Sequence, residues 1–237
     1  MTKIIKFITT ALFLSFSTIT FALQGLNVIT ITTDDPQDYV EWLTESQPIF
    51  QAAQGDNQVA QGICSPSSGG VFTNEHYVWT IAPSISAMMS NSDFFTEKEV
   101  ARALRKIANK REIVRRDSMY IIKEAEIDGV GVTNAQYNLT SRTNNIQAYS
   151  DALTAMEKAA AENGFEDIRV ALFGSLAGGD RALTVMASIQ APTSKRLGEF
   201  FDQRMSSWMT EAVSNFDELR TPVLDFMMEC TTLSVNN

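Results

Sequence analysis

His76 is the one histidine of the chain and sits in the run Thr73-Asn-Glu-His-Tyr-Val-Trp79. An imidazole titrates near neutrality, so this residue is the natural candidate for a general base. The competing reading is a histidine hydrogen-bonded or partly exposed in a strand. Metal chemistry finds little support. One histidine and two distant cysteines do not supply the clustered nitrogen and sulfur donors that zinc takes, so no metal is expected. Gly174-Ser175 lacks the following glycine of a nucleophile elbow. Glu97, Glu99, Glu124 and Glu126 are spaced like solvated charges. No dense group of acid, base and nucleophile emerges, which favours a binding or scaffold protein over an enzyme.

The first residues speak to the compartment. Lys3 and Lys6 precede an apolar stretch from Phe7 to Phe21, and Thr20-Phe21-Ala22 offers small residues where a signal peptidase cuts. We expect residues 1–22 to be a cleaved signal and the protein to be periplasmic or secreted. The alternative, a membrane anchor, needs a run of roughly 20 apolar residues, and this one is shorter. The formal net charge is −9, and near −11 without the two signal lysines. Such a chain repels nucleic acid and anionic lipid. We expect no nucleic-acid partner and no stable membrane anchor after cleavage; the oligomeric state stays open. An even cysteine count in an exported chain permits a Cys64–Cys230 disulfide, and two buried thiols are the alternative.

The positioning elements come from an internal repeat. Leu26–Thr33 and Gln136–Thr143 alternate like strands, and each is followed by a capping pair, Asp34-Asp35 or Asn144-Asn145. Thr30 and Thr140, Tyr39 and Tyr149, and Leu43 and Leu153 lie 110 residues apart, while Gly69-Gly70 and Gly178-Gly179 lie 109 apart. Each copy continues as a helix, two strands joined at the Gly-Gly pair, a second helix and a last strand. Thr96-x-x-Glu99 predicts a capping box for the second helix of the first copy. Leu197 to Ala212 predicts one long amphipathic helix in the second. The order is β-α-β-β-α-β twice, an α+β fold of two ferredoxin-like repeats. The repeats span residues 23–124 and 135–237, with a linker at 125–134. His76 falls opposite Val185 and so is not shared by the copies.

The first strand running into Asp35-Pro36-x-x-Tyr39-x-x-Trp42, with Pro48 and a glycine before the second strand, resembles the dimeric α/β barrel superfamily. The resemblance covers nearly all of the chain after residue 22. It implies an intramolecular barrel in which one sheet face packs on helices and the other lines a central cavity. Strand alternation then turns Asn138, Thr140 and Arg142, and by the repeat Val28, Thr30 and Thr32, toward the cavity. Thr30, Thr32, His76, Asn138, Thr140 and Arg142 are the candidate residues for a small organic ligand. The family includes cofactor-free oxygenases and haem-handling enzymes. An oxygenase- or isomerase-like activity is therefore the alternative function, and haem the alternative to no cofactor. A scaffold with a filled barrel is the third reading. In a ferredoxin-like sheet of order 4-1-3-2, Cys64 and Cys230 fall on edge strands, so barrel closure would let them meet.

Overall fold

Alternating, β-branched stretches become strands. The computed structural model, which describes residues 22–236, contains β1 (Gly25–Thr32), β2 (Ala60–Ser68), β3 (Glu75–Ala82), β4 (Glu112–Lys123), β5 (Thr133–Arg142), β6 (Arg169–Ala177), β7 (Val185–Ala191) and β8 (Thr221–Val235). The expected signal segment lies outside the described residues apart from Ala22. The strands pair in the order β1-β3-β2-β8-β5-β7-β6-β4 and return to β1, a closed antiparallel barrel. Closure leaves none of these strands with a bare hydrogen-bonding edge.

Seven helices are described, α1 (Pro36–Gln54), α2 (Ile85–Ser90), α3 (Lys98–Ile107), α4 (Ile146–Glu162), α5 (Ser194–Asp202), α6 (Ser207–Val213) and α7 (Phe216–Leu219). The Asp35 carboxylate accepts from the Asp38 amide to start α1, and the Asn145 side chain accepts from the Ala148 amide to start α4. The helices cover the outer sheet face. Ile31, Tyr39, Leu43 and Val100 form one core cluster, and Tyr149, Leu153, Val170 and Leu172 another. A separate apolar cluster fills much of the barrel interior, around Tyr77, Phe226 and Met228.

Three local expectations are corrected. The apolar stripe from Leu197 to Ala212 is not one helix. It breaks at Gln203–Met205, Ser206 caps α6 by accepting from the Met209 amide, and Met205 is 86% exposed. The capping box expected at Thr96 is replaced by a start at Glu97, whose side chain makes no capping bond. The Gly-Gly pairs do lie between antiparallel partners, β2 with β3 and β6 with β7, but β3 begins later than the position of Gly69-Gly70 suggests. Between β2 and β3 the chain loops from Gly69 to Asn74, because the Val71 and Phe72 amides donate to the Glu75 carboxylate instead of to a strand partner.

Candidate functional site

The barrel interior is built by strand parity. Val28 faces Trp79 across β1 and β3, Asn138 faces Ser188 and Phe226 across β5, and Cys64 faces Cys230 across β2 and β8. These side chains share the inner face, and between them lies a cavity of about 180 Å³. Leu26, Trp79, Ile81, Met119, Phe173 and Met186 make its walls largely apolar. A cavity of this size is below the roughly 300 Å³ at which drug-sized pockets begin. It exceeds the roughly 150 Å³ that admits benzene in an engineered core.

Polar groups gather toward each end. At one end the segment Glu124–Asp128, which follows β4, lines the opening. The Asn134 amide donates to Asp128 at 2.5 Å, Arg169 pairs with Asp128 at 2.9 Å, and Gln136 donates to Asn134 at 2.9 Å. Burial works to raise the Asp128 pKa, but the bonds from Arg169 and Asn134 outweigh it and hold the carboxyl below its ordinary value. At the other end Tyr77 donates to Glu75 at 2.6 Å, and Arg115 binds Asp117 at 2.9 Å and Asp180 at 2.6 Å. Burial and the Glu75 carboxylate both push the Tyr77 phenol up, so it stays protonated.

Inside the cavity one group is out of balance. Ser188 Oγ donates to Gln136 Oε1 at 3.1 Å, and Gln190 donates to Ser188 at 3.4 Å. This polar chain stops short of Asn138, whose side chain is 0% exposed and whose Oδ1 and Nδ2 have no protein partner. A buried amide left unpaired costs about 1–3 kcal/mol. Thr140 Oγ1 on the same strand face is also buried without a partner.

Of the residues expected to face a ligand, Asn138 lines this cavity. Thr30 and Thr140 are buried but not in its wall, Thr32 is half-buried at the end of β1, and Arg142 is exposed at the end of β5. His76 lines neither this cavity nor the pocket on the helix side. It alternates with Tyr77, so it falls on the outer face of β3, opposite Ile31, with Nδ1 2.8 Å from Ser65 Oγ. Burial holds its pKa below the ordinary value against the opposing charge of Glu75. Cys64 and Cys230 form a disulfide in the barrel wall. Gln136 and Gln190 are functional candidates that sequence reasoning misses; polar character at inward strand positions is the available signal.

No family model matches the chain, and no curated protein matches it. Solved structures do. An anthrone oxidase-like protein is 14% identical, with 92% of this chain and 94% of that chain covered and a TM-score of 0.59. A haem-binding protein from Thermus thermophilus is 8% identical over 88% and 91%, with a TM-score of 0.51. A mutant chlorite dismutase from Candidatus Nitrospira defluvii is 9% identical over 89% and 92%, with a TM-score of 0.51. These likenesses establish the dimeric α/β barrel fold.

Haem is the cofactor that such a fold brings into question. The residues present do not fit it in the barrel: the cavity is small, its walls carry no imidazole, and the one imidazole is turned outward onto Ser65. Among the described residues no group of three or more histidine, cysteine, aspartate or glutamate side chains could hold a metal ion.

Proposed function

We propose that the chain is an exported protein that binds a small organic molecule inside its barrel. The unpaired Asn138 amide carries this reading, because it presents a free donor and acceptor on the inner face of a cavity whose walls are largely apolar. The ligand is a compact neutral molecule of about one ring, with a carbonyl or hydroxyl to meet the amide. Gln136 would support it from the same inner face. Export is supported by Lys3, Lys6 and the apolar run that follows, and by a disulfide of the kind that persists outside the cytoplasm.

The same reading takes the barrel as a duplicated unit, residues 23–124 and 135–237 around a 125–134 linker. Equivalent contacts support it: Arg111 bonds Tyr39 as Arg220 bonds Tyr149. His76 does not line the cavity; the carboxylates that do are Asp117, Glu124, Glu126 and Asp128, and these are the groups a cofactor-free enzyme would have to use there.

The test is native mass spectrometry of protein purified from its own compartment, beside Asn138→Leu. Wild type should carry a small molecule and the variant none, while the variant without ligand should be more stable by about 1–3 kcal/mol. A ligand-free wild type, together with a variant no more stable, would point to a filled scaffold barrel.

A further inference from the structure

The acidic charge of the whole chain hides a local excess of the opposite sign. From Lys98 to Arg116, through α3 and the start of β4, stand eight lysines and arginines against two glutamates. At the positions 109 residues on, Ser207 to Asp225, stand four acids against one arginine. Arg111 and Arg220 match across that offset, but the other charges reverse or vanish. Arg102 corresponds to Glu211 and Arg116 to Asp225, while Ala108 and Asn109 correspond to Asp217 and Glu218.

Pairing within the molecule does not use these charges up. Arg102 pairs with Glu99, Lys110 with Asp38 and Arg115 with Asp117. Lys98, Arg105, Lys106 and Arg116 are exposed and have no carboxylate partner among the described residues. In the second segment Glu211, Asp217 and Glu218 are likewise exposed, with no basic partner among the described residues. Apolar side chains accompany both sets. Arg116 stands 5.3 Å from the ring centre of Phe95, which is 40% exposed, and Met89 beside them is 61% exposed. Met205, just before α6, reaches into solvent on the acidic side.

The fold keeps the two sets apart. Val100, Ala103 and Ile107 seat α3 with α1 over β1. Ala212, Val213 and Phe216 seat α6 and α7 with α4 over β6 and β7. The strands that lead into α1 and α4, β1 and β5, lie four places apart in the ring of eight. A cationic face and an acidic face therefore occupy opposite flanks of the barrel, where they cannot pair with each other.

We propose that the chain self-associates head to tail, the α3 face of one copy docking on the α6–α7 face of the next. A second copy is the partner because the chain itself supplies the acidic surface, at the equivalent place and with an exposed methionine to bury. Contact between unlike faces leaves one of each kind free, so growth runs past a dimer into a ring or a short filament. The net negative charge of each copy opposes approach from afar. At about 0.15 M salt that repulsion is screened beyond about 8 Å, and the complementary contact decides the pairing.

The test is sedimentation velocity of the intact protein. At about 0.15 M salt its mass should rise with concentration, and at about 1 M, where the Debye length is about 3 Å, it should return to the monomer. Arg105→Glu with Lys106→Glu should weaken association at least tenfold. Glu211→Lys with Glu218→Lys should do the same although it lowers the net negative charge; repulsion between whole molecules predicts the opposite. Each double variant keeps one intact face, so the two mixed should form a dimer that grows no further, which misfolded variants could not do. Wild type that stays monomeric up to about 1 mM, variants that associate like wild type, or a mixture no heavier than its components would each overturn the proposal. Monomeric protein that sediments with phosphatidylglycerol vesicles would also overturn it, and would assign the α3 face to anionic lipid instead.

Discussion

Arg111 Nη1 donates to the Tyr39 hydroxyl at 2.9 Å, tying the chain just before β4 to the first turn of α1. Arg220 makes the same tie to Tyr149 at 2.7 Å, just before β8. Both tyrosines are essentially buried, and each guanidinium also stands over its partner's ring, at 5.7 and 5.5 Å. A second ring lies near each, Trp42 at 5.5 Å from Arg111 and Phe216 at 4.5 Å from Arg220, so a charge at the edge of the core is held by one hydroxyl and two aromatic rings.

Removing that hydroxyl should therefore cost more than an ordinary hydrogen bond. Arg220 already has a buried Nε without a partner, and Tyr149→Phe would strip Nη1 as well. We expect a loss of about 1–3 kcal/mol in urea denaturation, with the slope unchanged. An unmoved midpoint would show that the guanidinium finds water instead.

The Cys64–Cys230 bond spans a sequence separation of 166 residues. Constraining so long a loop in the unfolded chain contributes roughly 4–5 kcal/mol on the entropic model. The double variant Cys64→Ala with Cys230→Ala should unfold at distinctly lower denaturant than oxidised wild type. Thiol counts on the denatured protein, with and without reductant, should differ by two.

His76 predicts a pH dependence. Its folded pKa lies below the ordinary value of 6.5 because burial disfavours the cation. The unfolded chain therefore takes up the proton first as pH falls. The stability from keeping this imidazole neutral is complete above about pH 6.5 and is lost progressively as pH drops toward the folded pKa. Melting curves between about pH 7.5 and 5 should show wild type losing stability faster than His76→Gln. Parallel curves would show that the ring is already solvated.

Gly62 lies against the Trp79 indole in the barrel wall, and a methyl group there would run into that ring and the Thr231 carbonyl. Gly62→Ala should destabilise by roughly 1–3 kcal/mol, as overpacking does. It should also alter the Trp79 emission spectrum; an unshifted spectrum would mean that the backbone yields instead of the ring.

Much of the barrel could be read from alternation. The inward turn of Asn138 and Thr140 followed from the apolar Tyr137 and Leu139 between them, since a strand reverses face at every residue. Polarity alone does not say whether a buried amide finds a partner, because that depends on Ser188 choosing Gln136 across a strand far away in sequence. His76 was misleading for a related reason. Its chemistry is local but its facing is relative, and counting from Tyr77 puts it outside. The break before α6 had a visible sign in Ser206, a good capping residue, masked by the continuous apolar stripe. Arg111 and Arg220 lie 109 residues apart, nearly the offset of the tyrosines they hold, but each stands just before a strand, where no motif marks it.

The ring of strands has an unforgiving order of assembly. β8 is 15 residues long and is made after both of its neighbours, β2 and β5. Until it emerges, those two present bare backbone edges that invite pairing with other molecules. Pairing of those two edges within the molecule therefore waits on β8, and the disulfide then ties β8 to β2 covalently.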